Sequence, residues 1–326
     1  SVEVEHAIAP ANHTIGGICG YKTKGNISNC SNTGAVTSSR ALYCDYNMID
    51  EWTGSKDYIQ EIVDSIMGSG GLQIYNYAGG ICGYINGPGV ISQCYNTADI
   101  TNIEYTTFKG YSLKIQRAFT EAGGISGSMY AGTRMYDCYN TGDIVSNCNI
   151  DSYISIIPGG MFDVPAPSVN NYSYAAGIVA TMDSGLVKRC FSTGTLTGGA
   201  EETYGIANGS GVVSYCRYIS DDTVTKGFTA YDDSLRHCKS MTLEDSPLAG
   251  VMVNDKDTYR GYEFGNQWVL GGSMPYPQLL DNMESRVKSV ELTGDEPASL
   301  NPTWAISPIP ITSMSSPRTI LSYSSQ

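Results

Sequence analysis

The chain has 326 residues, enough for a large core, and a formal net charge of −13. That acidity argues against a nucleic-acid or anionic-membrane partner, because attraction to phosphate needs clustered Lys and Arg. Charged residues are only 16% of the chain, while Gly (37) and Tyr (24, against 6 Phe) are abundant, so the composition is that of a turn-rich β protein. No apolar run of about 18 residues suggests a membrane span. No basic-then-apolar leader pattern opens the sequence, which does not assign a cytoplasmic home.

Taken in order, residues 1–15 are expected to cap one end of an array of repeats. Five units then align: "GGICGYKTKGNISNCSNTGAV" (16–36), "GGICGYINGPGVISQCYNTADI" (79–100), "GGISGSMYAGTRMYDCYNTGDI" (123–144), "AGIVATMDSGLVKRCFSTGTL" (176–196) and "YGIANGSGVVSYCRYIS" (204–220). Each has a Gly-Ile strand start, a Gly-bearing turn, a short strand ending at Cys, and a polar turn. A weaker sixth runs through "GFTAYDDSLRHCKS" (227–240). Spacing inside a unit is nearly constant, but the stretches 37–78, 101–122 and 145–175 are long and read as insertions. In the first, Ile59, Ile62, Val63 and Ile66 share one face of a helix that Asp57 caps and Gly68 ends. Residues 156–171 are Pro-rich and read as an exposed loop. "EFGNQWVLGGSMPYPQLL" (263–280), with Trp268, is expected to close the array, and 284–326 to be a linker or the start of a following domain.

Constant rungs with variable excursions predict a solenoid, since one rung cannot bury its apolar side alone and stacked rungs share a core. The fold class is therefore all-β: a right-handed parallel β-helix over 16–283, one elongated domain with loop and short helical insertions. Ile18, Ile81, Ile125, Ile178 and Ile206 form one internal ladder, and Cys30, Cys94, Cys138, Cys190 and Cys216 a second. Asn32, Asn96 and Asn140 stack as an amide ladder. The Gly of Asn-Thr-Gly suits a turn at positive φ. Cysteines at one rung position stand about 4.8 Å apart and parallel, whereas a disulfide wants Cβ atoms near 3.8 Å, so the ladder thiols are expected to be free. Cys44 and Cys148 lie off the repeat and remain open as partners. With no CxxC pair and three His, a zinc site is not expected.

The units "GGICG", "GGICG" and "GGISG", with their trailing "NCxNTG" elements, resemble the Glug-motif repeat over roughly residues 16–220; "AGIVA" and "YGIAN" depart from it. That resemblance implies a bacterial surface protein, since such repeats occur in surface proteins and beside immunoglobulin A-cleaving metalloproteases. It is nearly silent about activity.

Down the columns, the residue after the ladder Cys is Ser31, Tyr95, Tyr139, Phe191 or Arg217. If Cys faces in, Tyr95, Tyr139 and Phe191 form an outward strip that binds a glycan or partner chain, or that an insertion covers. Asp99 and Asp143 are rung neighbours about 5 Å apart. They suit Ca²⁺, a glycosidase acid and nucleophile, or plain solvated turns. No G-x-S-x-G elbow, phosphate loop or His-centred group is evident. The leading expectation is a non-catalytic, extracellular adhesion or binding module, monomeric, without cofactor unless Ca²⁺ binds, and with a glycan or host protein as partner. The alternatives are a polysaccharide lyase or hydrolase on the same scaffold, by fold analogy alone, and a passive stalk.

Overall fold

The computed structural model describes residues 12–45, 72–110, 115–130, 132–155, 163–165, 170–199, 203–220, 224, 226–228, 235–236, 238–242, 258–270, 274 and 276–284. The helix expected over 57–68 and the start of the expected N-terminal cap lie outside them. The chain divides into two compact units, Ser1–Ser285 and Arg286–Gln326, the second outside the described residues.

The first unit is a parallel β-solenoid. Its first rung is β1 (His13–Gly16), β2 (Cys19–Lys22), β3 (Ile27–Ser28), β4 (Ser31–Asn32) and β5 (Val36–Asp45). The second is β6 (Leu72–Gly79), β7 (Cys82–Ile85), β8 (Gly89–Ser92), β9 (Tyr95–Asn96) and β10 (Ile100–Gly110). The third is β11 (Ile115–Gly123), β12 (Ser126–Met129), β13 (Thr133–Tyr136), β14 (Tyr139–Asn140) and β15 (Ile144–Ser155), followed by an excursion, β16 (Asp163–Pro165). The fourth is β17 (Asn170–Ala176), β18 (Val179–Lys188), β19 (Phe191–Ser192) and β20 (Leu196–Thr197), and the fifth β21 (Thr203–Ser214) and β22 (Arg217–Ser220). The weak sixth unit forms β23 (Lys226–Phe228), β24 (Leu235–Arg236) and β25 (Lys239–Thr242), parallel to rung five.

The repeat columns are in register. Tyr139 lies opposite Tyr95 and Phe191, and Asn140 opposite Asn96 and Ser192. Ile81, Ile125, Ile178, Ile206, Cys94, Cys138, Cys190 and Cys216 are all fully buried in one core cluster. The exceptions are Ile18, 48% exposed, and Cys30, half-buried against the cluster, both in the first rung. The Asn ladder forms: Asn32 Nδ2 donates to Asn96 Oδ1 and Asn96 Nδ2 to Asn140 Oδ1, both at 2.7 Å. Each Nδ2 also donates to its own rung, to the carbonyl two residues on. Close approach of the next rung's backbone and of the ladder together explains the second glycine of each Gly-Gly start: a Cβ on Gly80 would stand 2.3 Å from the Gly124 carbonyl oxygen and 2.5 Å from Asn96 Cγ.

Three expectations are corrected. The described parts of the long stretches between units belong to the stack. They supply β5, β10 and β15 on one side and β6, β11 and β17 on the other, all paired in parallel, so the apparent unit was only part of a coil. The expected Pro-rich loop contributes β16, antiparallel to β15. The glycine of Asn-Thr-Gly does not take positive φ. The left-handed residue is the one before the ladder Cys: Asn29, Gln93, Asp137, Arg189 and Tyr215, at φ 52–55°. Gly142 is needed instead for close approach, since a Cβ there would stand 2.0 Å from the Ala98 carbonyl oxygen.

Between the long strands, an aliphatic seam of Val36, Ile100, Ile144 and Leu196 meets Ala78, Ala122 and Ala175. Beside it runs a buried polar seam. Ser38 Oγ donates to Asn76 Oδ1 at 3.3 Å and bonds His13 Nδ1 at 3.0 Å, while Asn102 Nδ2 donates to the Asn76 and Glu121 carbonyls at 2.9 and 3.0 Å. Ser38 is 1% exposed, so this Ser–His contact serves packing rather than chemistry on a substrate.

Cys30, Cys94, Cys138 and Cys190 form no disulfide, as expected from their spacing. Cys44 and Cys148 are not joined to each other. They lie opposite Phe108 and Glu104, on the two sides of β10 and four residues out of register, far beyond the about 7 Å Cα separation a disulfide spans.

Candidate functional site

Tyr95, Tyr139 and Phe191 do not form an exposed strip. Their rings stack at 5.0 and 4.9 Å between centroids, and all three are fully buried. They do point out of the Cys core, as alternation requires. The segment 258–284, with β26 (Trp268–Val269) antiparallel to β27 (Gln278–Leu279), then lies over them. Trp268 and Tyr276 pack on Tyr139 and Phe191, and Tyr259 on Phe191.

This segment does not cap the array's end. It runs back along the side. Arg217 Nε donates to the Thr258 carbonyl at rung five. Trp268 Nε1 donates to Asp137 Oδ1 at 2.8 Å, and Tyr139 Oη to Glu284 Oε1 at 2.8 Å, both at rung three. Asn282 Nδ2 donates to the Cys30 and Gln93 carbonyls, at rungs one and two. Asp137 is the hub of this strap: Arg189 grips it through Nε and Nη2, both at 2.6 Å, with both residues buried. A recess of about 230 Å³ beside them is lined by Gln93, Tyr136, Asp137, Arg189 and Gln267 among others, with Arg189 over the Tyr136 ring. Its charges are already paired.

Asp99 and Asp143 are exposed rung neighbours whose carboxylates bridge rungs. Asp99 Oδ1 accepts from the Asp143 amide at 3.1 Å, and Asp143 Oδ1 from the Thr195 amide at 2.8 Å. Among the described residues no group of three or more His, Cys, Asp or Glu stands together to add ligands.

An open aromatic surface lies elsewhere, on the outer side of β6, β11 and β17. Tyr75, Phe119 and Tyr172 stack at 4.8 and 4.9 Å, each half-buried. Tyr77 joins this column to Tyr84 at 4.7 Å, and Tyr84 stacks on Tyr21, which is 49% exposed. Tyr174 extends the other end beside Tyr172, and Tyr130, 38% exposed, meets Tyr84 edge-on. The rings lie flat on one another because the rung repeat of about 4.8 Å is close to the separation of stacked rings. Such a column presents ring edges and hydroxyls, with free faces only at its ends. The flat platforms expected from a columnar strip do not exist within the stack.

One rung interrupts the aromatics. Where rung two places Tyr77 and Tyr84, rung three places Glu121 and Ser128, and rung four Tyr174 and Thr181. Glu121 is 4% exposed, accepts a hydrogen bond from Thr181 Oγ1, and burial pushes its carboxyl up to about 8. Ser128 Oγ bonds the same Thr181 hydroxyl at 2.8 Å. Glu121 is thus a neutral acid at pH 7 inside a tyrosine-walled corner. The sequence carried a signal for this surface that the repeat alignment passed over: "IYNYAGG" (74–80) and "NYSYAAG" (171–177) set two rings two apart just before a unit, and "AFTEAGG" (118–124) keeps the first ring and puts Glu121 in place of the second.

The fold and columns define a β-solenoid repeat protein. The GLUG motif matches residues 11–37, the first rung, and the later rungs repeat its pattern. No curated protein matches the chain significantly, and no solved structure does. No helix among the described residues is long and apolar enough to cross a membrane.

Proposed function

We propose that this chain is a non-catalytic binding or adhesion module of a secreted or cell-surface protein, and that it meets its ligand through the aromatic face of β6, β11 and β17. The observation that carries this is the connected run Tyr21–Tyr84–Tyr77–Tyr75–Phe119–Tyr172–Tyr174 along the sheet, open or half-open to solvent at every ring but the buried Tyr77. Aromatic surface left open on a protein otherwise well supplied with cover marks an interaction site. Ring edges and phenol hydroxyls along one line fit an extended, hydroxyl-rich chain such as a glycan. A glycan array with purified protein tests it: Tyr21→Ala and Tyr172→Ala should each weaken binding at least several-fold while the protein stays folded, Tyr172→Ala at a cost of no more than about 1–2 kcal/mol of stability. Array binding that survives both substitutions would remove this face from the function.

Glu121 favours a second reading, polysaccharide cleavage, because a carboxyl held neutral at pH 7 is suited to donate a proton to a leaving group. Turnover of a glycan that the array retains, lost in Glu121→Gln, would select it over the first.

A further inference from the structure

At the end of the second strand, rungs two to four turn an apolar side chain inward: Ile85, Met129 and Met182, all at most 2% exposed. Rung one puts Lys22 there, in register with Ile85 and 4% exposed. A buried ammonium is costly unless it is compensated. Lys22 Nζ donates to the Pro88 carbonyl at 3.3 Å and meets no carboxylate among the described residues. It stands three residues from Cys19 on β2, the strand whose Cys19 pairs in register with Cys82, and its charge acts on both thiols.

Cys19 and Cys82 are paired in register on β2 and β7. Both thiols donate to the carbonyl two residues on, Tyr21 at 3.3 Å and Tyr84 at 3.5 Å, so they share one side-chain orientation. Their sulfurs therefore repeat at the rung spacing, about 4.8 Å. A disulfide would need Cβ atoms about 1 Å closer. Two metal–thiolate bonds of about 2.3 Å laid end to end span about 4.6 Å. Thiolate pairs suit soft cations such as Cu⁺. Zinc would want four ligands, and no group of three or more candidate ligands exists among the described residues.

We propose that Cys19 and Cys82 form a two-coordinate site for a soft monovalent cation, Cu⁺ or Ag⁺, with the Lys22 ammonium as its counter-ion. On binding, each thiol releases its proton to solvent and each sulfur bonds the cation. The two thiolates and one M⁺ leave a single negative charge, which Lys22⁺ neutralises. No electron is transferred. Cys19, half-buried at the first rung, gives access, and Cys82 is fully buried.

The test is a Cu⁺ titration of the full chain under anaerobic conditions against a chromophoric Cu⁺ chelator. Cys82→Ser is tolerated by the fold, because rung three already carries Ser126 in this column, with its hydroxyl donating to the Ser128 carbonyl. Cys19→Ser, Cys82→Ser and the double variant should each lose the same single tight equivalent, and Lys22→Met should keep it but bind at least tenfold more weakly. A double variant that loses twice what either single loses, or singles that bind like the wild type, would overturn the site. Lys22→Met binding as tightly as wild type would overturn the counter-ion. The wild type alone gives an independent reading: one equivalent of Ag⁺ should protect half-buried Cys19 from alkylation, and a freely alkylated Cys19 contradicts the proposal.

Discussion

Two aromatic columns climb this solenoid, and they have opposite fates. Tyr95–Tyr139–Phe191 and Tyr75–Phe119–Tyr172 stack at the same separation, near 4.9 Å, and each is built of one residue per rung. The first is fully buried and the second half-open. Nothing in the columns themselves sets the difference. A strap from residues 258–284 covers one with Trp268, Tyr259 and Tyr276 and leaves the other. In a stacked array, ring–ring stacking is therefore a property of the repeat, while availability to a ligand is decided by distant chain.

The strap offers the largest effect. Trp268 is fully buried against Tyr139, Phe191 and Tyr262 and donates to Asp137. Trp268→Ala should cost about 3–5 kcal/mol in urea unfolding. A cost below about 1 kcal/mol would mean that the strap is not seated as described. The matched pair sharpens the contrast: Tyr139→Ala should also cost about 3–5 kcal/mol, whereas Phe119→Ala in the open column should cost about 1–2 kcal/mol, chiefly lost stacking and partial burial. Equal costs would erase the distinction.

Glu121 gives the open side a pH signature. Its folded carboxyl holds a proton up to about pH 8, while an unfolded Glu loses it near 4.3. Below both values the two states are equally protonated and the effect vanishes. Between them the unfolded chain binds fewer protons, so stability falls as pH rises, by at most about 1.4 kcal/mol per unit. Glu121→Gln removes this dependence, and the variant should gain on wild type steadily from pH 5 to 8 in thermal melts. A constant difference would show that Glu121 is ionised in the fold. The smallest effect belongs to the exposed rung bridges. Asp143→Asn should cost less than about 1 kcal/mol, and Ca²⁺ should leave the melting temperature of wild type and variant unchanged. A Ca²⁺-dependent rise lost in the variant would restore Asp99 and Asp143 as a metal site.

The core was legible in the sequence because its chemistry repeats at fixed spacing. The Ile and Cys columns and the Asn32–Asn96–Asn140 ladder each come from alternation and stacking alone. The long strands were not, because they carry no repeated Cys or Asn and differ in length, so they read as insertions. The burial of Tyr95, Tyr139 and Phe191 was hidden for a different reason. Alternation correctly turns them out of the Cys core, but what they meet outside is Trp268, some 77 residues beyond Phe191 in the chain. The left-handed corner escaped because Asn29, Gln93, Asp137, Arg189 and Tyr215 share a backbone conformation and no side-chain chemistry. Lys22 stood out only once its column was known to be apolar.

The most direct test of covered against open is tyrosine nitration of the folded protein, mapped by mass spectrometry. Tyr21, Tyr105 and Tyr130 are 49%, 46% and 38% exposed, and Tyr75 and Tyr172 half-buried, whereas Tyr95 and Tyr139 are fully buried. The covered and open columns predict rapid modification of the first three, slower modification of Tyr75 and Tyr172, and none of Tyr95 or Tyr139 until the protein unfolds. Modification of Tyr139 in the folded protein at a rate near that of Tyr172 would contradict the covering strap.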